Sequence, residues 1–450
     1  MWAFAAKMQP LRSFLLGLIF AFVNPLSIFA AAENLSPPNI LFLFADDQRA
    51  DTIAALGNPN IETPNLDKLV RSGLAFRRAY MQGGMNPATC MPSRAMLLSG
   101  QSLFRIDEQL MRDPTWPEAF GTAGYTTFVT GKWHNGEASI PKCFQLARSM
   151  FTGGMSNPMD VPLKQLENGR MGKAVKSQTH ACEIFANEAI AFLNAPQKGP
   201  FLCYLPFDAP HDPHIVPAEF SVKYDPAALP LPENFMAQHP FDNGEMKIRD
   251  EVLLPTPRTP EAIRSMLADY YRYISYLDLQ IGRVLDALAA SPFAKNTIVV
   301  FSADSGVARG SHGLIGKQNL YEHSIRVPLV ISGPGIPANK STDAMCYLFD
   351  VFPTLGAICG VKAPATSEGV DLAGVLREPS TPGRSFLRFA YKDVQQAASD
   401  RDWKLIHYPK VGRTQLFDLQ HDSSEVHDLA SAPDQQARME LMRSILAAKP

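Results

Sequence analysis

The run "NILFLFADD", residues 39–47, is apolar without a break from Ile40 to Ala45 and then ends on two aspartates. A strand with no polar face is covered on both sides, as parallel strands inside an α/β sheet are. "TIVVFSADSG" (297–306) repeats the pattern, and "FLCYLPFDAPH" (201–211) and "VPLVISGPG" (327–335) add two more buried runs. Helical periodicity lies between them. In "MLADYYRYISYLDLQIGRVLDAL" (266–288), apolar residues at 267, 270, 274, 277, 281, 284 and 288 mark one helix face. Strands alternating with helices predict an α/β fold, a large mainly parallel sheet flanked by helices. Ligands of such sheets bind beyond the carboxyl ends of the strands. Asp46, Asp47, His211 and Asp304 all stand at those ends and can therefore converge.

The chain has 450 residues, 46% of them hydrophobic, enough for an extensive core. We expect a catalytic domain over 36–380. A small C-terminal α+β subdomain is expected over 381–450, where "WKLIHY" and "TQLFDL" read as short antiparallel strands and "DQQARMELMRSILAA" as a closing helix. The proline-rich stretch from about 222 to 260 suits neither helix nor central strand, and its aromatics suggest an ordered wall beside the site. The net charge of −2, with no basic run, argues against a nucleic-acid partner. At the N-terminus, Lys7 and Arg12 precede the apolar "SFLLGLIFAFV", and Ala30 and Ala32 offer a cleavage site. Residues 1–32 read as a signal peptide, too short an apolar run for a stable membrane span, and this predicts a periplasmic or secreted protein.

Six cysteines in so long a chain do not form a disulfide scaffold. Cys203, Cys346 and Cys359 sit in apolar runs and suggest packing, whereas Cys143 and Cys182 lie in polar segments that could pair. Cys90, in "NPATCMPSRAMLLSG" (86–100), is different. A buried structural thiol and a disulfide partner are both open readings, but the neighbours favour anion chemistry. Pro92 and Ser93 suit a first helical turn and Gly100 a helix stop. Cys90 then stands just before a helix N-terminus, where free N–H groups attract negative charge, and Arg94 adds a permanent cation.

The segment "CMPSR" resembles the signature of the type I sulfatases, members of the alkaline phosphatase-like superfamily. "GYTTFVTGKWH" (124–134), the "ADD" at 45–47, "APH" at 209–211 and "GKQNLYEH" (316–323) follow the same family in order. The resemblance implies that a formylglycine-generating enzyme oxidises Cys90 to Cα-formylglycine. One hydroxyl of the hydrated aldehyde would attack sulfur and the other would later expel sulfate. It implies one Ca²⁺ on Asp46, Asp47, Asp304, the residue at 305 and the modified Cys90, all oxygen ligands that suit a hard cation. Lys132 would bridge formylglycine and sulfate, and His134 would act as the base that starts sulfate release. His211 would bind sulfate and protonate the leaving alcohol, and Lys317 would bind sulfate with it.

Departures from the family pattern are Met91, Ser99, Thr130 and, most seriously, Ser305, where Asn or His is usual. The expected function is hydrolysis of a sulfate ester on a sulfated small molecule or saccharide. A phosphonate or phosphate monoester hydrolase, and a catalytically impaired binding protein, are the alternatives. His214, His312 and His323 are weaker candidates for substrate contact, with His312 expected to fix the loop that carries Lys317. Arg249 and its acidic neighbours in "HPFDNGEMKIRDE" (239–251) are candidates for contacting a sugar or bracing the loop.

Overall fold

The computed structural model describes residues 36–448. The expected signal peptide lies outside the described residues. Nine strands form the main sheet: β1 (Asn39–Ala45), β2 (Leu74–Tyr80), β3 (Thr126–Lys132), β4 (Leu146–Phe151), β5 (Phe201–Pro206), β6 (Thr297–Ala303), β7 (Arg326–Ser332), β8 (Lys340–Thr342) and β9 (Cys346–Tyr347). Their order is β8-β2-β7-β6-β1-β5-β3-β4, with β9 also paired to β2. β1, the strand of the opening run, is the centre: it pairs in parallel with β5 on one side and β6 on the other, and all seven of its residues are buried.

The run at 327–335 corrects one expectation. β7 is buried like its neighbours but runs antiparallel to both β6 and β2. A parallel successor needs a crossover to the opposite end of the sheet. The segment 304–325 contains only the single helical turn Glu322–Ile325, so it leaves β6 at the site end and re-enters the sheet there.

Helices cover both faces. α1 (Pro64–Ser72), α4 (Ala181–Asn194) and the 31-residue α5 (Pro260–Ala290) pack together on one side. α2 (Cys90–Ser99), α3 (Trp116–Thr122) and α6 (Val351–Cys359) pack on the other. The alternation of strand side chains fixes this division. Phe42 stacks on Phe352 of α6, while Phe128, in register with Cys203 and Leu41 of the opposite pleat, stacks on Phe192 of α4. Every apolar position of the α5 stripe (Leu267, Tyr270, Ile274, Leu277, Ile281, Val284 and Leu288) is buried.

A second sheet takes β10 (Leu387–Tyr391), β11 (Gln395–Ser399), β12 (Trp403–Tyr408) and β13 (Arg413–Asp418) as an antiparallel meander. The short strand Gly83–Gly84, just ahead of α2, adds to its edge in parallel with β10. The closing helix α7 (Gln436–Ala447) covers this sheet through Met439 and Met442. All six cysteines are free and buried, and Cys143 and Cys182 do not pair. Both lie on helices, where Cys143 meets the Thr115 hydroxyl and Cys182 the Asp208 carboxylate.

Candidate active site

The carboxyl ends of β1, β3, β5 and β6 deliver Asp46, Lys132, His211 and Asp304 to one place, and α2 presents Cys90 to them from its first turn. The helix begins at Cys90 itself rather than one residue later, and it stops at Gly100 as expected. The Cys90 thiol donates to Asp46 Oδ1 at 3.1 Å and approaches Asp47 Oδ1 at 3.6 Å. Lys317 Nζ donates to Cys90 Sγ at 2.7 Å and to both Asp47 oxygens at 2.6 and 2.7 Å.

Arg94 ties the strand ends together from below. It is 1% exposed, and its Nε pairs with Asp304 Oδ2 at 2.9 Å. Nη1 donates to the Lys132 carbonyl at 2.9 Å and Nη2 lies 3.4 Å from Asp46 Oδ2. Lys132 is wholly buried and forms a short ion pair with Asp46 Oδ2. Its position depends on Gly131, which stands at a bulge in the β3–β4 pairing with φ 129°. A Cβ at Gly131 would meet the Pro206 carbonyl oxygen at 1.9 Å, so only glycine fits. Asp47 and His134 both hold the left-handed conformation, each at φ 64°, a strain that non-glycine residues carry mainly at functional sites.

A cleft of about 250 Å³ opens above Cys90. His134, His211 and Lys317 line it, together with Gly154, Met155, Ile248, Arg249, Asp250 and Gln318. Lys132 and Arg94 do not; they stand beneath, against the carboxylates. His134 Nδ1 is buried without a partner among the described residues, and Gly154 leaves room for its ring, since a Cβ there would lie 2.7 Å from Nε2. His211 Nδ1 meets the Asp212 carbonyl oxygen at 2.8 Å, and Nε2 lies 3.6 Å from Asp47 Oδ2.

The electrostatics follow from burial. Desolvation, then Asp304, Asp46 and Asp47, push the Cys90 thiol well above its ordinary range, so it stays protonated. A protonated, enclosed thiol is a poor nucleophile. Burial works against ionisation of Asp46, but Lys132 and Arg94 overcome it and hold the carboxyl well below the usual range. Burial and Asp46 raise Asp304 to about 6. Burial and Lys132 lower His134 to about 3, which keeps it neutral and basic in function at neutral pH. Burial and Lys317 also lower His211.

The donor set suits a cation. Ligand atoms of Asp46, Asp47, Cys90 and His211 lie within 4.8 Å of one another, and Asp46 Oδ2, although beside Lys132 and Arg94, has no well-formed hydrogen bond. Asp304 Oδ1 accepts from the Asp47 backbone N–H at 3.0 Å, and Ser305 Oγ donates to Asp47 Oδ1 at 2.8 Å. The Ser305 hydroxyl therefore points into the cluster.

The weaker candidates brace the site instead of lining it. His312 stacks on Tyr321 at 3.8 Å and its Nε2 meets the Glu425 carbonyl oxygen, fixing the loop that carries Lys317. His214 lies beside Arg309, and His323 contacts Ser324. Of the acidic neighbours of Arg249 expected to contact a sugar or brace the loop, Glu251 braces it. Its carboxylate accepts the backbone N–H groups of Ile315 (3.0 Å) and Gly316 (2.8 Å), next to Lys317, and pairs with the buried Arg258 at 2.8 Å. Asp250, another of those acidic neighbours, lines the cleft beside Arg249, whereas Asp212 and Gln318 were missed.

Residues 38–361 match the Sulfatase family, and residues 310–449 match a second family described as N-sulphoglucosamine sulphohydrolase, C-terminal. A sulfatase of Formosa agariphila is 26% identical over 456 residues, covering 92% of this chain and 87% of its own length. An N-acetylglucosamine-6-O-sulfatase of Bacteroides thetaiotaomicron is 25% identical, covering 88% of this chain and 83% of its own. In fold, the chain resembles a solved structure in complex with its substrate D-glucosamine-2-N,6-O-disulfate, with a TM-score of 0.75 at 21% identity over 92% of this chain and 97% of that one. Matched over most of its length, the chain belongs to the sulfatase family within the alkaline phosphatase-like superfamily, and is a sulfuric ester hydrolase.

Proposed function

We propose that the protein is an exported sulfatase that hydrolyses a sulfate ester on a carbohydrate, with Cys90 converted to Cα-formylglycine. The observation that carries this reading is the setting of Cys90. Its thiol is held protonated by burial and three carboxylates, yet it faces the cleft against Lys317 at 2.7 Å. An unmodified thiol would be wasted there, whereas a hydrated aldehyde offers one hydroxyl for attack and another for release. The carbohydrate assignment is supported by the similarity to the N-acetylglucosamine-6-O-sulfatase and to the structure bound to D-glucosamine-2-N,6-O-disulfate.

In this reading Asp46, Asp47, Asp304, Ser305 and the modified Cys90 hold one Ca²⁺. When bound, the ion supplies positive charge against the sulfate oxygens and the nucleophilic hydroxyl. Lys317 and His211 bind sulfate at the floor of the cleft, and His211, which the bound anion favours in its charged form, gives its proton to the leaving alcohol. His134, kept neutral, takes the proton that starts sulfate release. Lys132 and Arg94 hold Asp46 and Asp304 ionised and in place. The modification requires a formylglycine-generating enzyme, and the signal sequence supports a periplasmic or secreted destination.

Peptide mass spectrometry of active protein tests the reading. The peptide ending at Arg94 should lose sulfur and gain an aldehyde oxygen, and prolonged chelation should remove activity that Ca²⁺ restores. Full activity from protein that carries only unmodified Cys90 overturns it.

A further inference from the structure

The mouth of the cleft carries a charge arrangement that the sulfate chemistry does not use. Arg249, 44% exposed, forms a short ion pair with Asp212 Oδ2 and a second with Asp250 Oδ1 at 2.9 Å. Asp212 follows His211, whose Nδ1 meets the Asp212 carbonyl. Asp250 Oδ2 accepts from Gln318 Nε2 at 2.7 Å, and Gln318 Oε1 accepts the backbone N–H of Lys317 at 3.0 Å. Burial opposes ionisation of both carboxylates, but Arg249 keeps Asp212 ionised and Lys317 keeps Asp250 ionised. Two carboxylates thus share one guanidinium, and these three side chains together carry one negative charge.

The remaining lining is apolar or small: Pro87, Ala88, Gly154, Met155 and Ile248. Carboxylates accept hydrogen bonds from hydroxyl groups, and the Met155 and Ile248 side chains suit the C–H face of a sugar ring. The cleft volume of about 250 Å³ falls below the range of about 300–1,000 Å³ that takes drug-sized ligands, so its enclosed part suits a single ring. A second anionic group on that ring would meet Asp250 at the lining, with Asp212 next to it, and Arg249 is already paired with both. Such repulsion discriminates as effectively as attraction.

The geometry points to a substrate-selecting mouth, built by Asp212, Arg249 and Asp250, that admits a terminal sugar whose only anionic group is the sulfate to be removed. This rests on the sulfatase reading and adds the substrate class to it. The mature protein is assayed first with 4-nitrocatechol sulfate, which reports the chemistry alone. It is then assayed with N-acetylglucosamine 6-sulfate and with glucuronic acid 2-sulfate, a neutral and an acidic sugar of one ring each. Calorimetry of both sugars on Cys90→Ala protein reads the preference independently of turnover. We expect the neutral sugar to be favoured at least tenfold in kcat/KM and in binding, and Asp250→Asn to shrink that ratio at least threefold. Equal or stronger binding of the acidic sugar, no detectable binding of either, or an unchanged ratio in Asp250→Asn overturns the inference. Loss of aryl sulfate turnover with the binding preference intact overturns the sulfatase reading instead.

Discussion

Lys317 Nζ stands between Cys90 Sγ at 2.7 Å and the two Asp47 oxygens at 2.6 and 2.7 Å, and so joins the nucleophile to the acidic cluster. It is nearly fully buried and is held firmly protonated, because Asp47, with Asp46 and Asp304 behind it, more than offsets the burial cost. Lys317→Met keeps the length of the chain and removes the charge. We expect it to lower kcat/KM on an aryl sulfate by about 10²–10³-fold, the usual cost of one electrostatic contact to developing charge. A loss below about threefold would show that Lys317 serves only to neutralise Asp47.

Ser305 spends its hydroxyl hydrogen on Asp47 Oδ1 at 2.8 Å and has too short a side chain to reach far into the cluster. Calcium accepts irregular shells in which water replaces a side chain, so under the proposed function the site would bind Ca²⁺ but hold it weakly. Ser305→Asn extends a carbonyl oxygen toward the metal. Titration with a chelator should strip wild type at a concentration several-fold lower than Ser305→Asn. Identical stripping curves would show that serine and water already complete the shell.

His211 and His134 both line the cleft with Cys90 and Lys317. His211→Ala should slow alkyl sulfates, whose leaving groups need a proton, at least tenfold more than activated aryl sulfates. His134→Ala should instead slow the release of sulfate and let a covalent sulfo-enzyme accumulate, visible as an 80 Da mass increment by the arithmetic of adding about one SO₃. Equal losses on both substrate types in His211→Ala would leave that residue a sulfate-binding role only.

Far from the cleft, buried Lys404 serves two carboxylates, Glu322 at 3.1 Å and Glu425 at 2.8 Å. One ammonium keeps Glu322 ionised, and burial raises Glu425 to about 7 despite Lys404. A carboxyl whose folded value lies above its unfolded value binds more protons in the native state. Its stabilising effect is full below the unfolded value and fades as pH rises toward 7. Unfolding free energy should therefore fall on the order of 2 kcal/mol between about pH 4.5 and 7 from this group. Glu425→Gln should flatten that slope in denaturant titrations across the window.

The convergence of Asp46, His211 and Asp304 was legible because buried apolar runs fix both the strands and where they end. Cys90, Arg94, Lys132 and Lys317 were legible as short motifs, and their contacts with the acidic cluster follow from those strand ends. The direction of β7 was not legible, since a strand buried on both faces reads the same whichever way it runs. Neither was the pairing of Gly83–Gly84 with β10, which joins glycines that carry no side-chain pattern to a strand some three hundred positions away. Asp212 was hidden for another reason, and the Arg249 ion pair it shares with Asp250 was hidden with it. An acid in a coil segment looks solvated until the fold sets an arginine between two of them.

The wall formed by residues 239–258 has a second attachment, because Glu251 grips the backbone of Ile315 and Gly316 while Arg258 neutralises it. A change of leaving-group preference and a change of rate are thereby mechanically linked. A wall transplanted from a relative as far as Asp250 would bring new specificity and leave the native latch in place. A graft that ended between Glu251 and Arg258 would separate the two halves of a buried ion pair, at a cost of about 3–5 kcal/mol, and would loosen the loop that carries Lys317. The natural unit of exchange in this protein therefore ends either before Glu251 or after Arg258.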